Sequence, residues 1–97
     1  MGFKISFASS ALQDLEDILV YYREQKLSHV GERLVSQIIQ DIELLGSQPD
    51  MGRMVPEFEV DYLRELIRPP FRIVYRRDQK RVRLVRICRS ERLLVLP

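Results

Sequence analysis

Polar and apolar positions alternate in two different rhythms along this chain, and the change of rhythm marks out its elements. Phe3-Lys-Ile-Ser-Phe7 alternates with period two, which predicts a short strand with one buried face. From Ser10 to Gln25 the period becomes helical. Ala11, Leu15, Ile18, Leu19 and Tyr22 form one stripe with Leu12 at its edge, and Asp14, Glu16 and Asp17 lie in the early turns, where acid complements the helix dipole. Ser9 or Ser10 is the expected N-cap, and Ser10 with Gln13 has capping-box spacing. A second helical stripe, Val30, Leu34, Ile38, Ile42 and Leu45, widened by Val35 and Ile39, predicts a helix over His29–Leu45 with Ser28 as its cap. Gly31 allows close packing at the hairpin end. Gly46 is placed as the residue after the helix, and Pro49 prevents it resuming.

Ser47 to Asp61 is a long connection punctuated by Pro49, Gly52 and Pro56, with Met54, Val55 and Phe58 available to pin it to the core. Period two then returns in Leu63–Ile67, which Pro69-Pro70 ends, in Phe71–Arg77, and in Arg81–Arg89 after a polar turn at Asp78-Gln-Lys80. Parity is irregular in the last strand. Either Arg86 lies off the buried part of the sheet or a bulge shifts the register. Leu93-Leu-Val-Leu96 is too apolar to stand free and forms a last strand or docks on the core. The result is a single domain over residues 1–97: α+β, two layers, in the order β-α-α-β-β-β, with a helical hairpin on one face of a mainly antiparallel sheet.

Charge changes this picture more than composition does. At 45 % hydrophobic residues the chain can fill one small core, and no apolar run approaches the ~20 residues of a membrane span. No signal-peptide pattern opens it, and the lone Cys88 suits a reducing cytoplasm, where the protein is expected to act. Net charge is only +2, yet residues 1–62 carry five basic and eleven acidic side chains (−6), while residues 63–97 carry eleven basic and three acidic (+8). Ten of those eleven are arginine, whose planar fork suits phosphate or carboxylate.

Arg64, Arg68, Arg72 and Arg76 recur every four residues through two strands, so Arg64 pairs in face with Arg68, and Arg72 with Arg76, opposite Phe71, Ile73 and Tyr75. This predicts one apolar sheet face and one guanidinium-rich face, the latter open to solvent or bound to a partner. The same alternation describes an ordinary solvated sheet, and the acidic half could instead neutralise the basic half within the fold.

Catalytic signatures are sparse. P-loop, dinucleotide and zinc patterns are absent, and no cofactor or metal is expected. His29, the one histidine, reads as exposed or capping at a helix start, and Cys88 lacks a base. Glu57, Glu65, Tyr75 and Glu91 are the available proton carriers. Glu65 has the wrong parity for the Arg64/Arg68 face, and Tyr75 falls on the core side. These residues favour anion binding over turnover.

Several segments together resemble the RelE/ParE superfamily of bacterial toxins: Ala11-Leu-Gln-Asp-Leu-Glu-Asp-Ile18, Pro49-Asp-Met-Gly-Arg-Met-Val-Pro-Glu57, Arg64-Glu-Leu66, Phe71-Arg-Ile-Val-Tyr-Arg76, Val85-Arg-Ile87 and Arg92-Leu93. The resemblance spans nearly the whole chain. It implies the toxin of a type II toxin–antitoxin pair, bound in a hetero-oligomer by a cognate antitoxin. RelE-like members cut mRNA on the ribosome with basic and aromatic residues on the open sheet face, whereas ParE-like members poison DNA gyrase.

By this likeness Arg72 matches the arginine that helps bind RNA in the ribonucleases. Arg89 falls near a position held by arginine or histidine, and Arg72, Arg89 and Glu57 would be the catalytic set of a ribonuclease. No histidine or tyrosine follows Arg89 here, unlike the ribonucleases. Gly52-Arg-Met-Val-Pro-Glu57 and Arg64-Glu-Leu66 are ParE-like. The resemblance therefore implies gyrase inhibition, growth arrest and plasmid stabilisation, with Arg64, Arg68, Arg72, Arg76, Arg89 and Arg92 as the surface that meets the target. The alternatives are ribosome-dependent mRNA cleavage, or an inactive relative serving as a binding module.

Overall fold

A computed structural model describes residues 2–96. The chain forms β1 (Lys4–Phe7), α1 (Ser9–Glu24), α2 (Ser28–Leu44), β2 (Arg53–Met54), β3 (Leu63–Arg68), β4 (Phe71–Arg77) and β5 (Arg81–Arg89). The expected order holds, with each helix one residue earlier at both ends. The two-residue β2 is an addition. The strands form one sheet in the order β1-β5-β4-β3-β2, parallel between β1 and β5 and antiparallel elsewhere. The α1–α2 hairpin between β1 and the rest of the sheet lets the first strand lie parallel to the last.

The hairpin covers one sheet face. Ala11, Leu15, Ile18, Ile38, Ile42 and Leu45 pack against Phe71, Ile73, Tyr75, Val82, Leu84 and Ile87, so the residues of both rhythms meet in one core. Leu12 stays 54 % exposed at the stripe's edge. Gly31 is needed for the close approach of the helices, because a Cβ there would lie 2.8 Å from Cβ of Tyr22.

The opposite face is not left open along its whole length. Val55, Leu63, Val74 and Leu94 form a second buried cluster, with Val60, Cys88 and Leu96 packed against it. The 55–63 segment and the C-terminal tail therefore cover one end of the outer face. The tail docks without becoming a strand. Val55 pins the long connection, while Met54 and Phe58 remain 46 % and 44 % exposed.

The irregular parity of β5 is a bulge. Val74 pairs with Arg86 but Tyr75 pairs with Leu84, which leaves Val85 without a partner on β4. The Ser10 hydroxyl donates to the Val85 carbonyl at 2.7 Å. That bond takes the hydroxyl expected in a capping box. Ala8 is the N-cap of α1 and Leu27 that of α2, neither with a side-chain cap, and Gln13 bonds Asp17 instead. Leu45 caps the C-terminus of α2, and the Gly46 carbonyl accepts the Phe3 N–H at 2.7 Å.

Candidate functional site

Cross-strand partners in a sheet share a face, and here they divide the arginine series. Arg64 stands opposite Tyr75 and Arg68 opposite Phe71, on the helix side. Leu63 stands opposite Arg76 and Ile67 opposite Arg72, on the outer side. The expectation of one guanidinium face is thus corrected: Arg64 and Arg68 lie on one side of the sheet, Arg72 and Arg76 on the other. Each strand's parity was right, but the pairing of the strands sets them to opposite sides.

Arg68 turns toward α2 and makes a bidentate pair with Asp41, both bonds 2.7 Å. Arg64 holds the long connection, donating to the Gly52 carbonyl at 2.9 Å and the Asp61 carbonyl at 3.0 Å. Arg86 reaches Asp14 of α1 through bonds of 2.9 and 3.0 Å, and Asp14 also accepts the Ile87 N–H at 2.9 Å. Arg77 pairs with Asp50. Part of the charge asymmetry between the halves is used within the fold, where Arg64, Arg68, Arg72, Arg77 and Arg86 of the second half meet acids of the first.

Arg72 is the centre of the most buried of these clusters. It is 5 % exposed. Its Nε donates to Glu65 Oε1 at 2.7 Å, and Nη1 and Nη2 donate to the two oxygens of Glu57 at 2.8 Å each. Nη1 also donates to the Arg92 carbonyl at 3.0 Å. Glu65, 1 % exposed, takes a second arginine, with Arg53 Nε 2.8 Å from its Oε2. Glu57 Oε2 accepts the Leu94 N–H at 2.8 Å, which fastens the tail over the cluster. Among the described residues no buried side-chain N or O atom lacks a partner. A network this complete sets geometry and rigidity.

Its electrostatics match. The bidentate hydrogen bonds from Arg72, supported by the Leu94 N–H and opposed by partial burial, lower the Glu57 carboxyl from 4.5 to about 2. The bonds to Glu57, and then Glu65, raise the Arg72 pKa against the effect of burial. Because the Glu57 pKa is depressed by folding, its contribution to stability is fully present above pH 4.5 and is lost as pH falls through about 2. Urea denaturation across that window should show a loss of stability that is smaller in Glu57→Gln. An unchanged pH profile in the variant would contradict the clamp.

The remaining candidates separate. Arg89 stands opposite Phe71 on the helix side and bonds Glu91 at 2.7 Å, so the set Arg72, Arg89 and Glu57 is split by the sheet. Tyr75 is fully buried. Its hydroxyl donates to the Pro49 carbonyl at 2.8 Å and accepts the Gly52 N–H at 3.0 Å, and burial raises its pKa. Burial likewise raises the Cys88 thiol, and His29 is exposed on α2. A cleft of about 390 Å³ lies over the Arg72 cluster, lined by Arg53, Glu57, Ile67, Arg92 and their neighbours. A carboxylate held near 2 is a weak base, and the guanidinium beneath the cleft already has its donors taken.

Sequence reasoning named Arg76 but passed over the residues that surround it. Register places Lys4 beside Arg81, Ser6 beside Arg83, and Arg83 beside Arg76, all on the outer face. These residues alternate with Ile5, Val82, Leu84 and Tyr75 of the helix-side core, so the alternation already marked them as outward. Only the pairing of β5 with both β1 and β4 gathers them.

Fold and family match together define a small α+β toxin domain of the RelE/ParE superfamily. The family model for the ParE toxin of the type II toxin–antitoxin system parDE matches residues 5–94, and the chain belongs to that family. It resembles a chain of the chromosomal ParDE toxin–antitoxin system from P. aeruginosa at a TM-score of 0.75 and 25 % identity, over 92 % of this chain and 97 % of that one. It also shares its fold with a chain of the RelBE2 toxin–antitoxin complex from Mycobacterium tuberculosis, at a TM-score of 0.69 and 17 % identity, over 93 % and 100 % of the two chains. Among curated protein sequences no significant match is found. Among the described residues no helix is long and apolar enough to cross a membrane.

Proposed function

We propose that this toxin inhibits DNA gyrase without cutting nucleic acid itself, and that a cognate antitoxin neutralises it. The observation that carries this reading is the closed state of Arg72: two carboxylates and a main-chain carbonyl occupy the guanidinium that a ribonuclease would turn toward a scissile phosphate. Arg89, the other cation of that set, lies across the sheet. Stabilising charge on a phosphate requires donors aimed at empty space, and proton transfer requires a group poised near neutrality. The cluster offers neither.

Support for an antitoxin comes from both structural neighbours, whose descriptions are of toxin–antitoxin systems or complexes. β1 and β2 are the strands at the two sheet edges, where a partner segment can add as a strand, and the outer surface of the helical hairpin can receive a helix. Purified toxin mixed with gyrase, ATP and supercoiled plasmid should give cleaved DNA on denaturation, and prior mixing with the antitoxin should prevent it. Intact supercoiled DNA at stoichiometric toxin, together with codon-positioned cuts in translated messages after induction, would overturn the gyrase reading in favour of the ribonuclease.

A further inference from the structure

The end of the chain is held differently from the rest. Main-chain pairing stops at the turn after β5, where the Ser90 N–H donates to the Pro70 carbonyl at 2.8 Å and the Arg92 N–H to the Arg89 carbonyl at 3.1 Å. Beyond that turn the described tail is pinned by charged side chains from three other parts of the chain. Arg72 of β4 donates to the Arg92 carbonyl at 3.0 Å, Glu57 of the long connection accepts the Leu94 N–H at 2.8 Å, and Arg86 of β5 donates to the Val95 carbonyl at 3.2 Å. Leu94 is buried, but Leu93 and Val95 on either side of it are 82 % and 71 % exposed.

We propose that residues 92–96 form a releasable strap over the Arg72 cluster, which comes off while the cluster and the rest of the fold stay closed. The bonding pattern allows release without stranding a charge. With the strap off, Arg72 keeps Glu65 and both oxygens of Glu57, and Arg86 keeps its bidentate pair with Asp14. The strap's own main-chain groups pass to water. A segment with one buried side chain and no ladder has little to set against the chain entropy that release restores, which places it at the low end of local stability.

Release changes what this end of the outer face offers. The bond to the Arg92 carbonyl is the one Arg72 makes to a group other than a carboxylate, so it frees an Nη1 donor and nothing else of the guanidinium. Arg92 and Leu93 form part of the wall of the cleft of about 390 Å³ over Arg72, and that wall moves with the strap. Val74 and Cys88 belong to the apolar cluster that Leu94 and Leu96 complete, so release also uncovers an apolar floor. The strapped chain therefore has this face closed, and the released chain has a free donor beside apolar surface. The inference concerns the toxin alone and does not rest on the gyrase reading.

Amide exchange of the wild-type chain in rising urea tests it. Relative to its intrinsic rate, the Leu94 N–H should exchange at least about a hundredfold faster than the N–H of Ile73, a fully buried residue of β4. Its rate should depend little on urea, whereas that of Ile73 follows the slope of global unfolding measured by circular dichroism. Cys88 gives a second readout, because burial raises its thiol pKa and keeps it unreactive under the strap. Leu94→Ala removes the buried anchor and should speed labelling of Cys88 by a disulfide reagent at least about tenfold. Val95→Ser alters an exposed side chain and should change that rate by less than about twofold. The Arg72 Nε–H, bonded to buried Glu65, should stay slow to exchange in Leu94→Ala. Fast exchange there would mean that strap and cluster open as one, and would overturn the proposal. Equal urea slopes for Leu94 and Ile73 would make the tail part of the global unit and overturn it too. So would labelling of Cys88 at the wild-type rate in Leu94→Ala, since the thiol would then be reached with the strap in place. If Leu94→Ala does not fold, the two wild-type exchange slopes decide the matter alone.

Discussion

Arg72→Met should destabilise the protein by roughly 3–5 kcal/mol, the range for removing one partner of a buried ion pair. The large effect comes from what remains. Glu65, whose side chain is fully buried, would keep only Arg53, whose side chain is 64 % exposed. Glu57 would lose both of its guanidinium bonds, and the Arg92 carbonyl its donor. Uncompensated carboxylates are the costly product, so two further results are expected. The double variant Arg72→Met/Glu65→Gln should recover part of the loss, because a neutral amide is cheaper to bury than an unpaired charge. The destabilisation should also shrink as pH falls, since the stranded carboxylates then take up protons. Urea denaturation of wild type, both single variants and the double variant at neutral and acidic pH measures all three. A loss below about 1 kcal/mol for Arg72→Met would mean a surface-like ion pair. It would return Arg72 to the pool of residues free to meet a target. The result bears on function directly: loss of growth arrest in an Arg72 variant reports on the target only if the variant is still folded.

The elements of this fold were legible because each rests on local periodicity. Helical and strand stripes gave the order, and the bulge in β5 was visible as a conflict between Val82, Leu84 and Arg86 on one side and Val85 and Ile87 on the other. Boundaries moved where tertiary contacts competed with local signals. Ser10 had the spacing of a capping box, but the unpaired Val85 carbonyl took its hydroxyl.

The candidate site was less legible, and the reason is geometric. Parity within a strand says which residues share a face, but it does not say which face of β3 joins which face of β4. Register supplies that, and it put Arg64 beside Tyr75 and Arg72 opposite Ile67. Glu65 illustrates the consequence. Its parity set it against Arg64 and Arg68, and that same parity delivered it to Arg72. The partners of the arginines were also distant in sequence: Asp14 for Arg86, Asp41 for Arg68 and Glu57 for Arg72 lie 72, 27 and 15 residues away. A difference of −6 against +8 between the two halves records only that such pairs are available.

Gly52→Ala should cost about 2–4 kcal/mol, combining the strain of overpacking with a lost hydrogen bond. Gly52 is buried and does not have the positive φ that often explains a glycine. Its need is for close approach. A Cβ there would lie 2.6 Å from the Glu65 carbonyl oxygen and 2.7 Å from the Tyr75 hydroxyl. The first obstacle is strand backbone and the second a fully buried ring, so neither can swing aside. The loop would have to move instead. It would then give up the Gly52 N–H bond to Tyr75 and the Gly52 carbonyl bond from Arg64, and strain Arg53 in its pairing with Glu65. Tyr75→Phe separates the two causes. It removes the hydroxyl bonds to Gly52 and Pro49 and adds no bulk, so it should cost about 1–3 kcal/mol. In that background Gly52→Ala should cost less than in wild type, because the hydroxyl is gone, yet still measurably more than zero, because the Glu65 carbonyl remains. Strict additivity in the double-mutant cycle would contradict a shared contact. Glu57 stands five residues beyond Gly52 on the same connection, so the displaced loop should also loosen the clamp on Arg72. Faster amide exchange at Leu94, whose N–H is held by Glu57, is the local sign to look for.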